Sequence, residues 1–237
     1  FFSFHKNVAI KKGIKILSFG IKNKYSNIKL ISIKKNGSKF KAIIQINSIK
    51  TYFFISNDFK NNILNTLAAL AVMSIYFDIS KLNKNIFINF KTPVGRGDIS
   101  KLRINKKKIN FIDESYNSNP LSLESAILNY DKIDSKNSKK YLLLGDMLEL
   151  GKHSKILHQS IGAIINQTKI DKVFVKGREV ITTFNSIKTS KKGKIFKQNS
   201  EIIDLIKNEL NNNDYLMIKA SNATGFNKFA NNLKELK

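Results

Sequence analysis

The apolar positions along the chain follow two patterns, and the change between them falls near residue 95. In the first part, apolar runs at hairpin-like spacing follow a short helix over 8–16, which predicts a set of strands. These predicted strands cover 16–19, 28–33, 40–46 and 52–55. Asn36-Gly37 lies between the second and third strands and is a strong hairpin-turn signal. From Asn61 onward, apolar residues at three- and four-residue spacing predict one long helix.

Beyond residue 95, short continuous apolar runs alternate with amphipathic stretches. The predicted strands are 109–112, 141–144, 173–175, 194–196 and 215–218, and the predicted helices are 121–130, 154–167, 200–210 and 226–236. This alternation is typical of a parallel sheet that helices cover on both faces. The sequence therefore predicts an α/β protein in which strands and helices over 1–94 precede a doubly wound, Rossmann-like domain over 95–237.

Polar residues follow the predicted strands of the second part. They form the segments 113–117, 145–147, 176–178 and 219–222. Ligands of open parallel sheets bind beyond the carboxyl ends of the strands, so we expect a binding edge there. Strand ends are polar in many proteins, however, and a merely solvated edge is the alternative.

The net charge of +25 would by itself suggest a nucleic-acid or anionic-membrane partner. Only Arg96, Arg103 and Arg178 are arginines, although bidentate recognition of phosphates and bases favours arginine. The lysines are spread over every segment, together with abundant Asn and Ile, as A/T-biased coding would produce. We therefore expect no specific nucleic-acid partner, with a basic, non-enzymatic nucleic-acid-binding module as the alternative. The denser clusters at 106–108 and 191–192 are predicted to be solvated tips of turns.

Several classes of protein are disfavoured by composition. The chain has no cysteine and three histidines, which argues against a disulfide framework and a structural zinc site. No apolar run approaches the roughly 20 residues that a membrane-spanning helix needs, so we expect no membrane insertion and a soluble chain. The first residue is Phe1 and no signal-peptide pattern follows it, which we interpret as a truncated start.

Four motifs in a fixed order are more specific than composition. They are N-N-I-L-N-T-L-A-A at 61–69, P-V-G-R at 93–96, I-D-E-S-Y-N-S-N-P at 112–120 and L-L-L-G-D-M-L-E-L-G at 142–151, with His158 seven residues after the last. Their order and spacing resemble the Mur ligase family, in its D-alanyl-D-alanine-adding branch. The resemblance covers 1–94 as the second half of the central ATP-binding domain and 95–237 as the C-terminal domain. Asn61 stands where the family usually has His, and Ala220-Ser221-Asn222 replaces the frequent G-S-R.

The resemblance implies a peptidoglycan-synthesising ligase. It would add D-alanyl-D-alanine to UDP-N-acetylmuramoyl-tripeptide through an acyl phosphate, using ATP and Mg²⁺, and it would be a cytoplasmic monomer. A sibling Mur-type ligase that adds another amino acid is the alternative within the family. The phosphate loop and most Mg²⁺ ligands of the family are expected outside these residues, so we expect residues 1–237 alone to be catalytically silent.

Four residues match the family's ATP-binding positions. Asn62 and Asn65 lie three apart at a helix start, where amides can pair with the edge of adenine, and helix capping and packing are their alternatives. Arg96 is expected to clamp ATP phosphate, and an ion pair with Asp98 is its alternative. Glu114 matches a ribose contact, unless it is only a solvated carboxylate.

The dipeptide carries an amine and a carboxylate, so its site needs charges of both signs. The resemblance and the residue types together predict seven contacts: Asn117, Asn119, Asp146, Glu149 and His158 on one side, and Lys219 and Ser221 on the other. Lys219 is the preferred partner for the carboxylate because it ends an otherwise apolar strand. His158 could equally cap or pack a helix.

Overall fold

The computed structural model describes residues 2–90, 94–135 and 137–235 of the 237-residue chain. The chain divides into two compact units, Phe1–Phe90 and Lys91–Lys237. Sequence analysis placed the boundary a few residues later, after 94. The assignment of the first unit to half of an ATP-binding domain stays a prediction, and Pro93 of the P-V-G-R motif lies outside the described residues.

The first unit is built from a four-stranded sheet and two helices. In chain order these are α1 (Phe2–Lys11), β1 (Phe19–Gly20), β2 (Ile28–Asn36), β3 (Lys39–Ile46), β4 (Ile49–Ile55) and α2 (Lys60–Tyr76). The strand order is β1-β2-β3-β4, with β1 parallel to β2 and the other pairs antiparallel. The predicted turn at Asn36-Gly37 is confirmed: Asn36 pairs with Lys39, and Gly37 takes the positive φ of 61° that a tight turn requires.

Alternating residues of the sheet form the core of the first unit. Ala42 and Ile44 of β3 are buried and pack in one cluster with Leu67 and Leu70 of α2. Two predicted bounds were wrong. The first helix spans Phe2–Lys11 instead of 8–16 because the chain leaves the helix at Gly13, which has a φ of +65°. The strand predicted at 16–19 is reduced to Phe19–Gly20.

The second unit alternates strands and helices around a six-stranded sheet. Its elements are β5 (Asp98–Ile104), β6 (Lys107–Glu114), α3 (Pro120–Asp131), β7 (Lys140–Leu144), α4 (Ser154–Asn166), β8 (Lys172–Val175), α5 (Ile181–Ser186), β9 (Lys192–Ile195), α6 (Asn199–Asn208), β10 (Tyr215–Lys219) and α7 (Phe226–Glu235). The strand order is β5-β6-β10-β7-β8-β9, with every neighbouring pair parallel except β5 and β6.

The five strands predicted from the sequence all pair in parallel, and the sequence analysis missed the sixth strand, β5, which lies antiparallel at one edge. β5 joins β6 through a hairpin at Asn105 and Lys106, which both have positive φ angles. An edge strand is covered less completely than a central one, and its residues alternate: Leu102 is buried whereas Lys101 and Arg103 are exposed. That alternation lacks the continuous apolar run by which the parallel strands were found.

Helices cover both faces of this sheet, which confirms the α/β, doubly wound prediction. Tyr141 and Leu143 of β7 pack in one core with residues of α6 and α7. Leu142 and Leu144 face the other way and pack with residues of α3, α4 and α5. The period-two alternation of one short strand thus supplies two separate cores.

Two lysines in the predicted solvated clusters have structural roles instead. The Lys107 ammonium donates to two carbonyls at the end of α6, at 2.8 and 2.9 Å. The Lys191 ammonium donates to two carbonyls that follow α4, at 2.8 and 2.6 Å. Of these four carbonyls, the one of Lys207 lies in the last turn of α6, where carbonyls lack intrahelical partners and a cation is favourable. Lys106, by contrast, is exposed at its turn as predicted.

A search for membrane-spanning helices within 2–90, 94–135 and 137–235 finds none of sufficient length and apolar character.

Candidate binding site at the strand ends of the second unit

The carboxyl ends of β6 and β10 lie side by side and carry charged residues. These strands are parallel neighbours in which Ile218 is opposite Asp113 and Lys219 is opposite Glu114. Because side chains alternate along a strand, the adjacent carboxylates Asp113 and Glu114 point to opposite faces. Each carboxylate has a lysine partner: Lys234 for Asp113 and Lys219 for Glu114.

Lys219 is a buried cation at the centre of this edge. Its side chain is 2% exposed, and its Nζ lies 3.3 Å from Oε2 of Glu114 and donates to the Asn117 carbonyl at 2.9 Å. Burial lowers the pKa of the Lys219 ammonium, while the Glu114 carboxylate acts in the opposite direction. An ammonium has three N–H groups, so one is left for a ligand after these two contacts with described residues.

Glu114 is held between the cation and a glycine. A Cβ at Gly97 would lie only 2.8 Å from Oε1 of Glu114, and Gly97 has a φ of +90°. Nearby, the exposed Arg96 guanidinium stacks 4.3 Å from the centre of the Tyr116 ring, and its positive charge also lowers the Lys219 pKa. The structure thus brings together Arg96, Glu114 and Lys219. Sequence reasoning did not foresee the role of Glu114 as counter-ion of Lys219.

His158 packs beneath the loop that follows β7. It is 1% exposed, its Nε2 accepts from the Met147 backbone N–H at 3.2 Å, and its Nδ1 lies 3.0 Å from the Ser154 carbonyl oxygen. A carbonyl only accepts, so these two contacts require a neutral imidazole with its proton on Nδ1. This geometry corresponds to the packing alternative for His158, in which the ring positions the loop.

Asp146 and Ser221 tie the loops of this edge together. The Asp146 carboxylate accepts backbone N–H groups of Val180 at 2.8 Å and Arg178 at 3.1 Å. The Ser221 hydroxyl accepts from the Leu148 N–H at 2.9 Å and donates to the carbonyl of the residue after Asn117 at 3.0 Å. Both side chains therefore hold the backbone of the loops at this candidate site. Their position at strand ends alone did not reveal this role.

The remaining predicted contacts differ in how their polar atoms are used. Asn119 caps α3: its Oδ1 accepts from the Ser122 N–H at 2.8 Å, and the Ser122 hydroxyl returns a contact to the Asn119 N–H at 3.0 Å. Asn117 is exposed, with its Oδ1 accepting from the next backbone N–H at 2.8 Å. Glu149 is exposed and has a φ of +63°. Asn117, Glu149 and Lys219 thus keep polar groups that can meet a ligand.

Asn62 and Asn65 lie on the first turns of α2 in the first unit. Asn62 is half-buried and donates its amide to the Asn57 carbonyl at 3.2 Å, whereas Asn65 is exposed. The helix begins after Phe59, which gives no side-chain cap, so neither asparagine is the N-cap residue. The alternative partner suggested for Arg96, the side chain of Asp98, lies outside what the structure describes.

The described residues contain no candidate set of metal ligands. No group of three or more His, Asp or Glu side chains that could hold a metal ion occurs within 2–90, 94–135 and 137–235. The chain's described residues therefore give no basis for assigning Mg²⁺ ligands.

Comparison with known proteins identifies the family of this chain. The profile described as "Mur ligase, glutamate ligase domain" matches residues 101–222, about half of the chain. The chain belongs to the Mur ligase family. The matched segment contains the ends of β6, β7, β8 and β10, so the candidate edge lies in the family's own domain.

Curated relatives match most of the length of this Mur ligase chain. The chain is 33% identical over 214 residues to the UDP-N-acetylmuramoyl-tripeptide–D-alanyl-D-alanine ligase of Buchnera aphidicola subsp. Baizongia pistaciae, and the alignment covers 87% of this chain and 43% of the relative. It is 27% identical over 210 residues to the ligase of the same name from Bacillus subtilis, covering 86% and 44%. The chain thus spans less than half the length of these relatives.

A solved structure shows the same fold. The MurF ligase from Thermotoga maritima, crystallised in complex with ADP, superposes with a TM-score of 0.76 at 20% identity, covering 98% of this chain and 51% of that one. This likeness confirms the α/β architecture of the Mur ligase chain.

Proposed function

We propose that this chain forms part of an ATP-dependent ligase that adds D-alanyl-D-alanine to UDP-N-acetylmuramoyl-tripeptide, and that the strand-end edge of its second unit binds the dipeptide. The relatives named above carry this activity in their names. The proposal keeps the cytoplasmic location and the monomeric state that the family resemblance implies.

The observation that carries the proposal is the buried Lys219 ammonium. It is fixed by Glu114 and the Asn117 carbonyl, and it keeps one N–H for a ligand carboxylate. A cation in a water-poor position binds a carboxylate more strongly than one in solvent does. Glu149, exposed on the neighbouring loop, supplies the opposite charge for the dipeptide ammonium.

The other site residues have separate tasks in this proposal. ATP, when bound, supplies the phosphoryl group that activates the tripeptide carboxylate as an acyl phosphate. Arg96 offers a planar guanidinium for phosphate oxygens, and Glu114 is assigned to a ribose hydroxyl, from which a carboxylate can accept. Asn62 and Asn65 pair with adenine. Asp146, His158, Ser221 and Asn119 hold the loops, so that the acceptor amine meets the activated carbonyl in a fixed orientation.

The test is a titration of the ¹⁵N-labelled chain followed by NMR. D-alanyl-D-alanine is expected to cause saturable shifts of amides in 115–119, 145–149 and 219–222, and L-alanyl-L-alanine at equal concentration is not. A larger response to a single amino acid than to the dipeptide would support a sibling ligase instead. A response to single-stranded DNA that persists at physiological salt would support the nucleic-acid-binding alternative.

One variant and one control connect this response to Lys219. Lys219→Met keeps the length of the side chain and removes its charge, so dipeptide affinity should fall about tenfold or more. Lys228→Met removes the same charge from an exposed position of α7 and should leave affinity unchanged. Equal affinity of the unchanged chain and a folded Lys219→Met variant would refute the assignment of Lys219 as the carboxylate partner.

A further inference from the structure

Asp113 is a fully buried carboxylate that sequence reasoning did not single out. It is 0% exposed, and Oδ1 accepts from the backbone N–H of Ser115 at 3.0 Å and from its hydroxyl at 2.5 Å. Its other oxygen, Oδ2, lies 2.6 Å from Nζ of Lys234 on α7. A buried charge persists only when it is paired and hydrogen-bonded, so Asp113 depends on both partners.

The Ser115 turn that Asp113 holds is the start of the loop over 115–119. Two residues further along, the Asn117 carbonyl accepts from the Lys219 ammonium at 2.9 Å. The next carbonyl, of Ser118, accepts from the Ser221 hydroxyl at 3.0 Å. The backbone position of this loop therefore determines where the Lys219 ammonium can rest.

Asp113 also anchors the opposite side of the edge through its main chain. Its carbonyl accepts from the N–H of Gly97 at 2.7 Å, and Gly97 is the residue that packs against Glu114. Glu114 is in turn the ion partner of Lys219 at 3.3 Å. Two routes thus lead from Asp113 to Lys219, one through the loop and one through the glycine.

We propose that Lys234 is a positioning residue for the dipeptide site, acting through Asp113 and Ser115 on the Lys219 ammonium. This proposal rests on the proposed function, because it takes the edge at Lys219 to be the dipeptide site. Lys234 lies on the last helix, and its Nζ also lies 5.8 Å from the centre of the Phe111 ring. Through this ion pair the last helix helps to set the geometry of the Lys219 site.

The test compares dipeptide affinity in variants of the complete chain. Lys234→Met should weaken D-alanyl-D-alanine binding by up to about tenfold, which is the effect expected when the energy of the lost hydrogen bond to Asp113 is fully coupled to binding, and Lys234→Arg should recover most of it. Lys228→Met, on the same helix but exposed, is the matched control and should bind as the unchanged chain does. The NMR chemical shifts of the amides of Lys192–Ile195, which lie on the far edge strand, should be the same in all variants. A general loss of packing would change those chemical shifts as well.

A second variant covers the case in which Lys234→Met does not fold. Ser115→Ala leaves the ion pair intact and removes one of the two bonds to Oδ1, so it should weaken binding about threefold. If the folded variants bind the dipeptide as tightly as the unchanged chain, Lys234 is no positioning residue.

Failure of the proposed function gives a different result. In that case the unchanged chain does not respond to D-alanyl-D-alanine at all, and hydrogen exchange at the Ser115 amide decides the positioning claim alone. Exchange should be faster in Lys234→Met than in the unchanged chain, Lys234→Arg and Lys228→Met. Equal protection of that amide in all four chains would overturn the proposal.

Discussion

The two units expose their candidate residues in opposite ways. In the second unit the central group, Lys219, is 2% exposed and has charged and carbonyl partners, while most surrounding polar side chains hold loops. In the first unit Asn65 is exposed on a helix, and Asn62 makes one amide contact with a nearby carbonyl. Binding and folding should therefore be coupled in the second unit and nearly independent in the first.

The largest effect on stability is expected for Asp113→Asn, which tests this coupling. The substitution removes the charge of a carboxylate that is 0% exposed and leaves the Lys234 ammonium, whose side chain is 22% exposed, beside a neutral amide. Because that ammonium retains access to water, we expect the cost of losing hydrogen bonds to a charged group, about 1.5–3 kcal/mol of unfolding free energy, instead of the larger cost of a fully buried charge. We expect urea denaturation, followed by NMR signals of the second unit, to show a loss of this size, and the exposed Asp204→Asn to show none. A loss below about 1 kcal/mol would place Asp113 with ordinary surface carboxylates.

Tyr130→Phe tests whether the opposite end of the sheet is separate from the site. The Tyr130 hydroxyl lies 3.0 Å from the carbonyl oxygens of Tyr141 and Tyr215, at the start of β7 and β10, and burial raises its pKa well above the ordinary value. Tyr130→Phe removes the hydroxyl that donates to these buried carbonyls, and the loss of this hydrogen bond should lower the free energy of unfolding by about 1–3 kcal/mol. Tyr25→Phe, at a residue that is 82% exposed, is the control and should be neutral.

The same variant should leave dipeptide affinity unchanged, since Tyr130 contacts the strand starts and the site lies at the strand ends. A fall in affinity as large as that of Lys219→Met would mean that contacts at the strand starts and dipeptide binding at the strand ends are energetically coupled.

Periodicity was sufficient for most of the second unit and failed where burial was partial. Helices and parallel strands with continuous apolar runs were found within a few residues, whereas β5 was missed because Leu102 and Ile104 alternate with exposed basic residues. The short helix α5 was missed as well, since Ile181–Ser186 is too brief for a helical period to be recognised.

For the site, sequence reasoning located the edge but could not assign roles within it. Strand ends and motifs marked Glu114, Lys219 and Ser221, yet whether a polar atom holds a loop or faces a ligand depends on neighbours far away in sequence. Lys234 shows this most clearly: its partner Asp113 is 121 positions earlier, and one lysine among many gives no local signal. The predicted contacts themselves stay predictions until ligand binding is measured.

Lys219→Met examines the cost of keeping a cation at this edge. Burial lowers the Lys219 pKa below its ordinary value of 10.5, so between those two pKa values the folded chain holds fewer protons than the unfolded chain. Stability from this group therefore rises with pH through that window, and the buried charge is unfavourable below it. We expect Lys219→Met to change unfolding free energy by less than about 1 kcal/mol at pH 7, since Glu114 retains access to water.

The pH dependence of the free energy of unfolding tests whether burial of the Lys219 ammonium is the cause. The free energy of unfolding of the unchanged chain should rise relative to that of Lys219→Met between pH 7 and pH 10, as measured by urea denaturation at both values. Parallel curves for the two chains would show that the Lys219 ammonium does not experience the burial described.

The smallest effects are expected in the first unit, where Asn62→Ala and Asn65→Ala form a matched pair on one helix. Asn62→Ala removes an amide contact to the Asn57 carbonyl and should cost about 0.5–1.5 kcal/mol, whereas Asn65→Ala should stay within about 0.5 kcal/mol. If both side chains pair with adenine, each substitution weakens ADP binding to the chain despite their different effects on stability. Isothermal titration with ADP measures this directly, with the exposed Asn61→Ala as control. If ADP affinity fell only with Asn62→Ala, ADP binding would depend on the conformation at the start of α2, and Asn65 would not be a nucleotide contact.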